Sequence, residues 1–129
     1  MHEIDTMRRA AQISARAHIR AMQACKPGMR EYHLEAELLH EFRYSGSQSV
    51  AYNSIVASGA NSCILHYRAG DSELRSGELC LIDAGCELDG YASDITRTFP
   101  VNGKFSGPQR ALYDITLASQ EAAIAATKP

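Results

Sequence analysis

The spacing of apolar residues along the chain passes from helical to strand-like and back to helical. From Ile4 to Cys25 there is no Pro or Gly, and Ala, Arg, Gln and Met predominate, which predicts a helix. Ile4, Met7, Ala11, Ser14, Ala15, His18 and Met22 recur at helical spacing as its weakly apolar face. Lys26-Pro27-Gly28 stops it by removing a donor and permitting a reversal. A second helix is predicted from about Glu31 to Tyr44, with Leu34, Leu38, Leu39 and Phe42 as its buried stripe and Ser45-Gly46-Ser47 as its end. Two short strand-like runs follow, Val50–Tyr52 and Ile55–Ser58, then a loop over Gly59–Ser62 and an apolar-aromatic run Ile64–Tyr67 containing His66. The polar stretch from Arg68 to Glu78 reads as a surface loop. A last helix opens at Ser106-Gly107-Pro108-Gln109, with Ser as N-cap and Gln three residues on, and runs to about Thr127.

Between these helical segments lies the stretch that organises the rest, Leu79 to Pro100. Leu79–Ala84 is an apolar run that includes an acid, and Ala92–Phe99 is rich in Thr, Ile and Phe, as strands are. Glu87-Leu88-Asp89-Gly90 between them carries an Asp-Gly turn signal. A turn centred on Leu88-Asp89 sets Asp83 opposite Asp94. One centred on Asp89-Gly90 sets Asp83 opposite Thr96, with Asp94 as its diagonal neighbour. Both registers leave the two carboxylates on one face, because side chains alternate with period two. Two like charges that close repel unless something neutralises them, and divalent cations do so directly. The competing reading makes Asp83 a turn former and Asp94 a solvated side chain. It is weakened by the Leu-Cys-Leu-Ile run before Asp83, since an unpaired carboxylate at the end of a buried strand is costly.

Composition narrows the class. The chain has 129 residues, 45% hydrophobic and 22% charged, an ordinary balance for a globular domain. A formal net charge of -2 argues against nucleic acid as the main partner. No apolar run has membrane-spanning length and the opening Met-His-Glu-Ile-Asp is unlike a secretory signal, so the expected compartment is the cytoplasm. Cys25, Cys63, Cys80 and Cys86 lack Cys-x-x-Cys spacing and read as buried or incidental thiols. Arg8, Arg9, Arg16 and Arg20 read as a solvated helix face, and His33 and His40, flanked by glutamates, as exposed rather than as a ligand pair. His66 is by default a satisfied core residue. Beside converging carboxylates it becomes a candidate proton carrier or hydrogen-bond donor. Lys128-Pro129 closes an Ala-rich helix as Lys26-Pro27 closes the first, a weak hint of a repeated unit. Two carboxylates are too few for a tight metal site.

Tyr52-Asn53-Ser54-Ile55-Val56-Ala57-Ser58-Gly59, Leu65-His66-Tyr67, Asp83-Ala84-Gly85 and Tyr91-Ala92-Ser93-Asp94-Ile95-Thr96-Arg97-Thr98-Phe99-Pro100 closely resemble the Xaa-Pro aminopeptidases (aminopeptidase P) of the pita-bread metallopeptidase family. The resemblance extends over essentially the whole chain and is most specific from Asp83 to Phe105. It implies an α+β fold, half of a pita-bread domain with helices packed on an antiparallel sheet, spanning residues 1–129. It also implies a hydrolase with two divalent metal ions, usually manganese, that removes the residue before a proline at the second position of a peptide. Asp83 and Asp94 match the family's first two metal ligands, His66 its histidine near the scissile carbonyl, and Thr96 a threonine beside the metals. The family's other ligands, one histidine and two glutamates, have no counterpart here. The chain alone is therefore expected to bind metal weakly, to be inactive, and to self-associate through surfaces meant for the missing half. The alternatives are a prolidase-type dipeptidase of the same family and a metal-free pita-bread relative serving as a binding module.

Overall fold

The computed structural model describes residues 2–68 and 70–128; Pro129, the second residue of the repeated Lys-Pro pair, lies outside them. The element order is α1 (His2–Ala24), α2 (Glu31–Tyr44), β1 (Ser49–Val50), β2 (Ile55–Ser58), a 3-10 turn (Gly59–Cys63), β3 (Leu79–Ala84), β4 (Cys86–Leu88), β5 (Tyr91–Ala92), β6 (Ile95–Pro100) and α3 (Gly107–Ala126). The α+β architecture that the resemblance implies is present, with the sheet divided in two: β1-β4-β5 and β2-β3-β6, both antiparallel.

The division occurs inside the anticipated hairpin. Its lower ladder pairs Leu79 with Pro100 and Ala84 with Ile95, and its upper ladder pairs Glu87 with Ala92 and Leu88 with Tyr91. The register runs unbroken through the gap, and the turn is centred on Asp89-Gly90 with φ of 51° and 83°. Positive φ at both central residues matches the right-handed twist of the strands and is why Asp-Gly suits this turn. Of the two registers open to the sequence, this is the one that places Asp83 opposite Thr96.

Helices α1 and α2 pack together and cover one face of the strands. Along β3 the even residues Cys80, Ile82 and Ala84 point into this core, joined by Val56, Leu34, Leu38, Phe42 and Leu74. Each large apolar side chain so enclosed contributes about 1.5–3 kcal/mol. The stripe foreseen on α2 holds for Leu34, Leu38 and Phe42, while Leu39 is exposed. On α1 the foreseen face is rotated. Ala10, Ile13, Ser14, Ala17, His18 and Ala21 are buried, and Ile4 and Met7 are exposed. Small side chains let the helix axis approach its neighbours, so close packing selects the alanine stripe over the bulkier one.

The basic face of α1 is solvated at Arg8, Arg9 and Arg16, as expected, and half-buried at Arg20. Arg16 meets Glu41 at 3.2 Å and Arg20 meets Glu37 at 2.5 Å, tying α1 to α2. His33 and His40 are exposed, as expected. The four cysteines are free thiols, with Cys80 and Cys86 in the core. Part of the supposed surface loop is pinned as well: Leu74 is fully buried, and its N–H and carbonyl pair with Met29 and Gly28. α3 carries the predicted capping box, Ser106 N–H donating to Gln109 Oε1 at 2.8 Å, yet none of its described residues is buried.

Candidate metal centre

Odd residues of β3 face away from the helices, which puts Asp83 on the open side of the sheet, with Thr96 opposite it on β6. Asp94 reaches the same side from the gap between β5 and β6. Its position depends on Gly85, which stands across from it. A Cβ on Gly85 would lie 1.7 Å from the Ser93 carbonyl oxygen and 3.1 Å from the Asp94 nitrogen, so only glycine allows the strands to close there. A buried polar knot seals the crossing from the core side. Ser14 Oγ on α1 lies 2.7 Å from Ser93 Oγ, the Cys86 N–H donates to both hydroxyls at 3.0 and 3.2 Å, and Ser93 Oγ donates to the Cys86 carbonyl at 2.8 Å.

The two carboxylates converge on one atom. Tyr52 Oη lies 2.6 Å from Asp83 Oδ1 and 2.8 Å from Asp94 Oδ1. A phenol has a single proton to donate, so it satisfies one carboxylate at a time and leaves the other facing a like charge. Burial pushes the Tyr52 hydroxyl's pKa up, and its bonds to Asp83 and Asp94 and their charges push it further, which keeps it a neutral donor. The residual anionic charge and the all-oxygen donor set suit a hard divalent cation such as manganese or magnesium. Among the described residues no three His, Cys, Asp or Glu side chains are grouped so as to hold a metal ion. What is present is a pair, not a closed site.

His66 shares a cleft of about 460 Å³ with both aspartates, along with Tyr52, Asn53, Ile55, Tyr67 and Arg68. It is not the core histidine that its apolar neighbours suggested. Ile64, Leu65 and His66 are exposed, in a tight turn closed by the Tyr67 N–H to the Ile64 carbonyl at 3.2 Å. His66 occupies the left-handed region, φ 53°. Thr96 is exposed and lines the neighbouring hollow between β6 and α3, beside rather than inside the cleft. Tyr52 is the residue that sequence reasoning left without a role. It lies between β1 and β2, and no periodic pattern points from it to carboxylates on β3 and beyond β5.

The family model for metallopeptidase family M24 matches residues 5–129. Over 98% of its length the chain is 58% identical to the Xaa-Pro aminopeptidase of Escherichia coli, and it covers 29% of that protein. It is 43% identical to the human Xaa-Pro dipeptidase, covering 27% of it. It superposes with a TM-score of 0.97 on a variant of E. coli aminopeptidase P in complex with substrate, at 57% identity, covering 99% of this chain and 29% of that one. A zinc-substituted form of the E. coli enzyme, in complex with product, matches with a TM-score of 0.96. The folded segment is thus part of a pita-bread fold, and it spans less than a third of the length of these relatives.

Proposed function

The chain belongs to metallopeptidase family M24, and on that premise we propose that it supplies the first half of the catalytic domain of an Xaa-Pro aminopeptidase. In this reading Asp83 and Asp94 hold two divalent metal ions, most simply manganese, whose other ligands come from a second half. The observation that carries it is the convergence of both carboxylates on the Tyr52 hydroxyl, in the cleft that also receives His66. When bound, such ions lower the pKa of a water and polarise the scissile carbonyl.

The chain's own residues have separable tasks. The carboxylates face one another because the Asp89-Gly90 turn and Gly85 fix the strand crossing. The Tyr52 hydroxyl donates to whichever oxygen remains free and so limits how the carboxylates rotate. In this reading His66, which lines the cleft, donates a hydrogen bond to a peptide carbonyl and to the oxyanion that develops from it. Thr96, opposite Asp83, borders the carboxylate pair on the β6 side. The substrate is a peptide with proline at its second position, and the compartment is the cytoplasm, in keeping with four unpaired thiols. Among the described residues no helix is long and apolar enough to cross a membrane.

Calorimetric titration of manganese into the chain, together with an assay on Gly-Pro-type peptides, tests the reading. Weak binding that disappears in Asp83→Asn and Asp94→Asn, without turnover, is the expected result. Indistinguishable titrations of the three proteins would remove the metal assignment, and robust turnover would overturn the claim that a second half is required. The likeness to human Xaa-Pro dipeptidase supports a second reading, a prolidase-type dipeptidase. Comparing dipeptide and longer peptide substrates in the complete enzyme separates the two.

A further inference from the structure

Glu31, the first residue of α2, is fully buried and lies outside the carboxylate pair. Removing a carboxylate from water is tolerated only where its lone pairs are taken up. None of the ion pairs among the described residues includes Glu31. Its compensation comes from neutral donors. Oε1 accepts from the Ser58 N–H at 2.8 Å, Ser58 Oγ at 3.1 Å and Asn61 Nδ2 at 3.0 Å. Oε2 accepts from Tyr67 Oη at 2.9 Å and the Gly70 N–H at 3.2 Å. A Cβ on Gly70 would fall 2.8 Å from Tyr67 Oη, so a side chain there would displace the tyrosine hydroxyl.

These donors share one property: all belong to the segment that carries His66. Ser58 and Asn61 grip it on one side, Tyr67 and Gly70 on the other, and Asn61 Nδ2 also bonds Tyr67 Oη at 3.1 Å. His66 sits inside this interval with a left-handed backbone, which a β-carbon-bearing residue keeps only where its surroundings over-determine it.

We propose that Glu31 is a positioning residue for His66: its buried carboxylate gathers Ser58, Asn61, Tyr67 and Gly70 into the arrangement that holds His66 at the Asp83–Asp94 cleft. The proposal rests on the reading of His66 given above. An amide at position 31 keeps the shape but has one acceptor atom in place of two, and its NH2 group faces donors. A loop released in this way leaves His66 free to leave the left-handed region, and a misplacement of about 1 Å can cost a reacting group roughly 100-fold.

The test uses the chain without metal, comparing Glu31→Gln with Leu38→Val, a core change on the same helix. Amide exchange at Ser58 and Gly70 and the ring resonances of His66 are read by NMR, and global stability by urea. In Glu31→Gln the Ser58 and Gly70 amides exchange at least about tenfold faster relative to those of Cys80 and Ile82, and the His66 ring resonances move toward those of an unstructured peptide. In Leu38→Val both reporters follow global stability alone. If Glu31→Gln does not fold, Asn61→Ala and Tyr67→Phe, which each remove one donor and keep the carboxylate, must show the same His66 shift. An unmoved His66 in these variants, or a shift no larger than that in Leu38→Val at matched stability, overturns the proposal. No readout involves metal or turnover. A failure here leaves the carboxylate pair standing, and a failure of manganese binding leaves the role of Glu31 standing.

Discussion

Gly85→Ala offers the sharpest test of how the site is built. The new methyl carbon would start 1.7 Å from the Ser93 carbonyl oxygen and 2.5 Å from its carbon, well inside contact distance. Both atoms are backbone, so no side chain can rotate away; the strands must part. Parting them disturbs the Ser93 N–H to Cys86 carbonyl bond at 2.9 Å and the Ala51 N–H to Gly85 carbonyl bond at 2.9 Å. It also disturbs the Ser14–Ser93–Cys86 knot behind them. Overpacking costs about 1–3 kcal/mol, and each of two to four hydrogen bonds adds roughly 0.5–1.5 kcal/mol, for a total of about 2–9 kcal/mol. That is a large share of the ~5–15 kcal/mol that holds a domain together. Gly90→Ala is the control. Gly90 has φ 83° with nothing within 4 Å, so its cost is backbone strain alone, about 1–2 kcal/mol. Urea denaturation of both variants measures the contrast. If Gly85→Ala loses no more stability than Gly90→Ala, the crossing is not set by steric closure, and the account of how Asp94 is aimed fails.

Tyr52→Phe removes the donor shared by the two aspartates and should cost about 1 kcal/mol, less than the ~1.5–3 kcal/mol of a bond to a charged group because Asp94 is solvated; an unchanged urea midpoint would speak against the shared bond. For Glu31, burial pushes the carboxyl's pKa up, but the donors from Asn61, Ser58 and Tyr67 outweigh it and hold it below the ordinary 4.5. A depressed carboxyl stabilises the fold fully above its unfolded value and loses that contribution as pH falls through the folded one. The stability gap between the natural chain and Glu31→Gln should therefore narrow below about pH 4.5, and a gap that stays constant in urea melts down to acid refutes this. α3 exposes Leu112, Ile115 and Ile124, so light scattering should show self-association that Leu112→Glu reduces. A strictly monomeric profile of the natural chain argues otherwise.

What the sequence made legible is what local rules govern. Asp-Gly with positive φ at both residues announces its turn, period two then places Asp83 and Asp94 on one side, and Ser106 with Gln109 announces the start of α3. The rotated face of α1 was hidden because three of its buried positions, Ala10, Ala17 and Ala21, are alanines, whose value lies in closeness rather than in apolar area. His66 kept a competing core reading for a different reason: apolar neighbours implied burial, whereas the turn exposes Leu65 with it. Tyr52 and Glu31 were illegible because their partners are distant in the chain. Tyr52 is 31 residues from Asp83, and Glu31 is 36 from Tyr67. A hydroxyl or carboxylate does not advertise such contacts through periodicity.

Both aspartates lie on a single ribbon closed by a two-residue turn, and this bears on the order of events during folding. Bringing them together requires almost no loop closure, and ribbons of this kind form in roughly 1–10 μs. The electrostatic conflict between the two acids therefore arises early in the search for the native state, before distant segments have docked. A cation present at that moment would act on the speed of folding as well as on its endpoint.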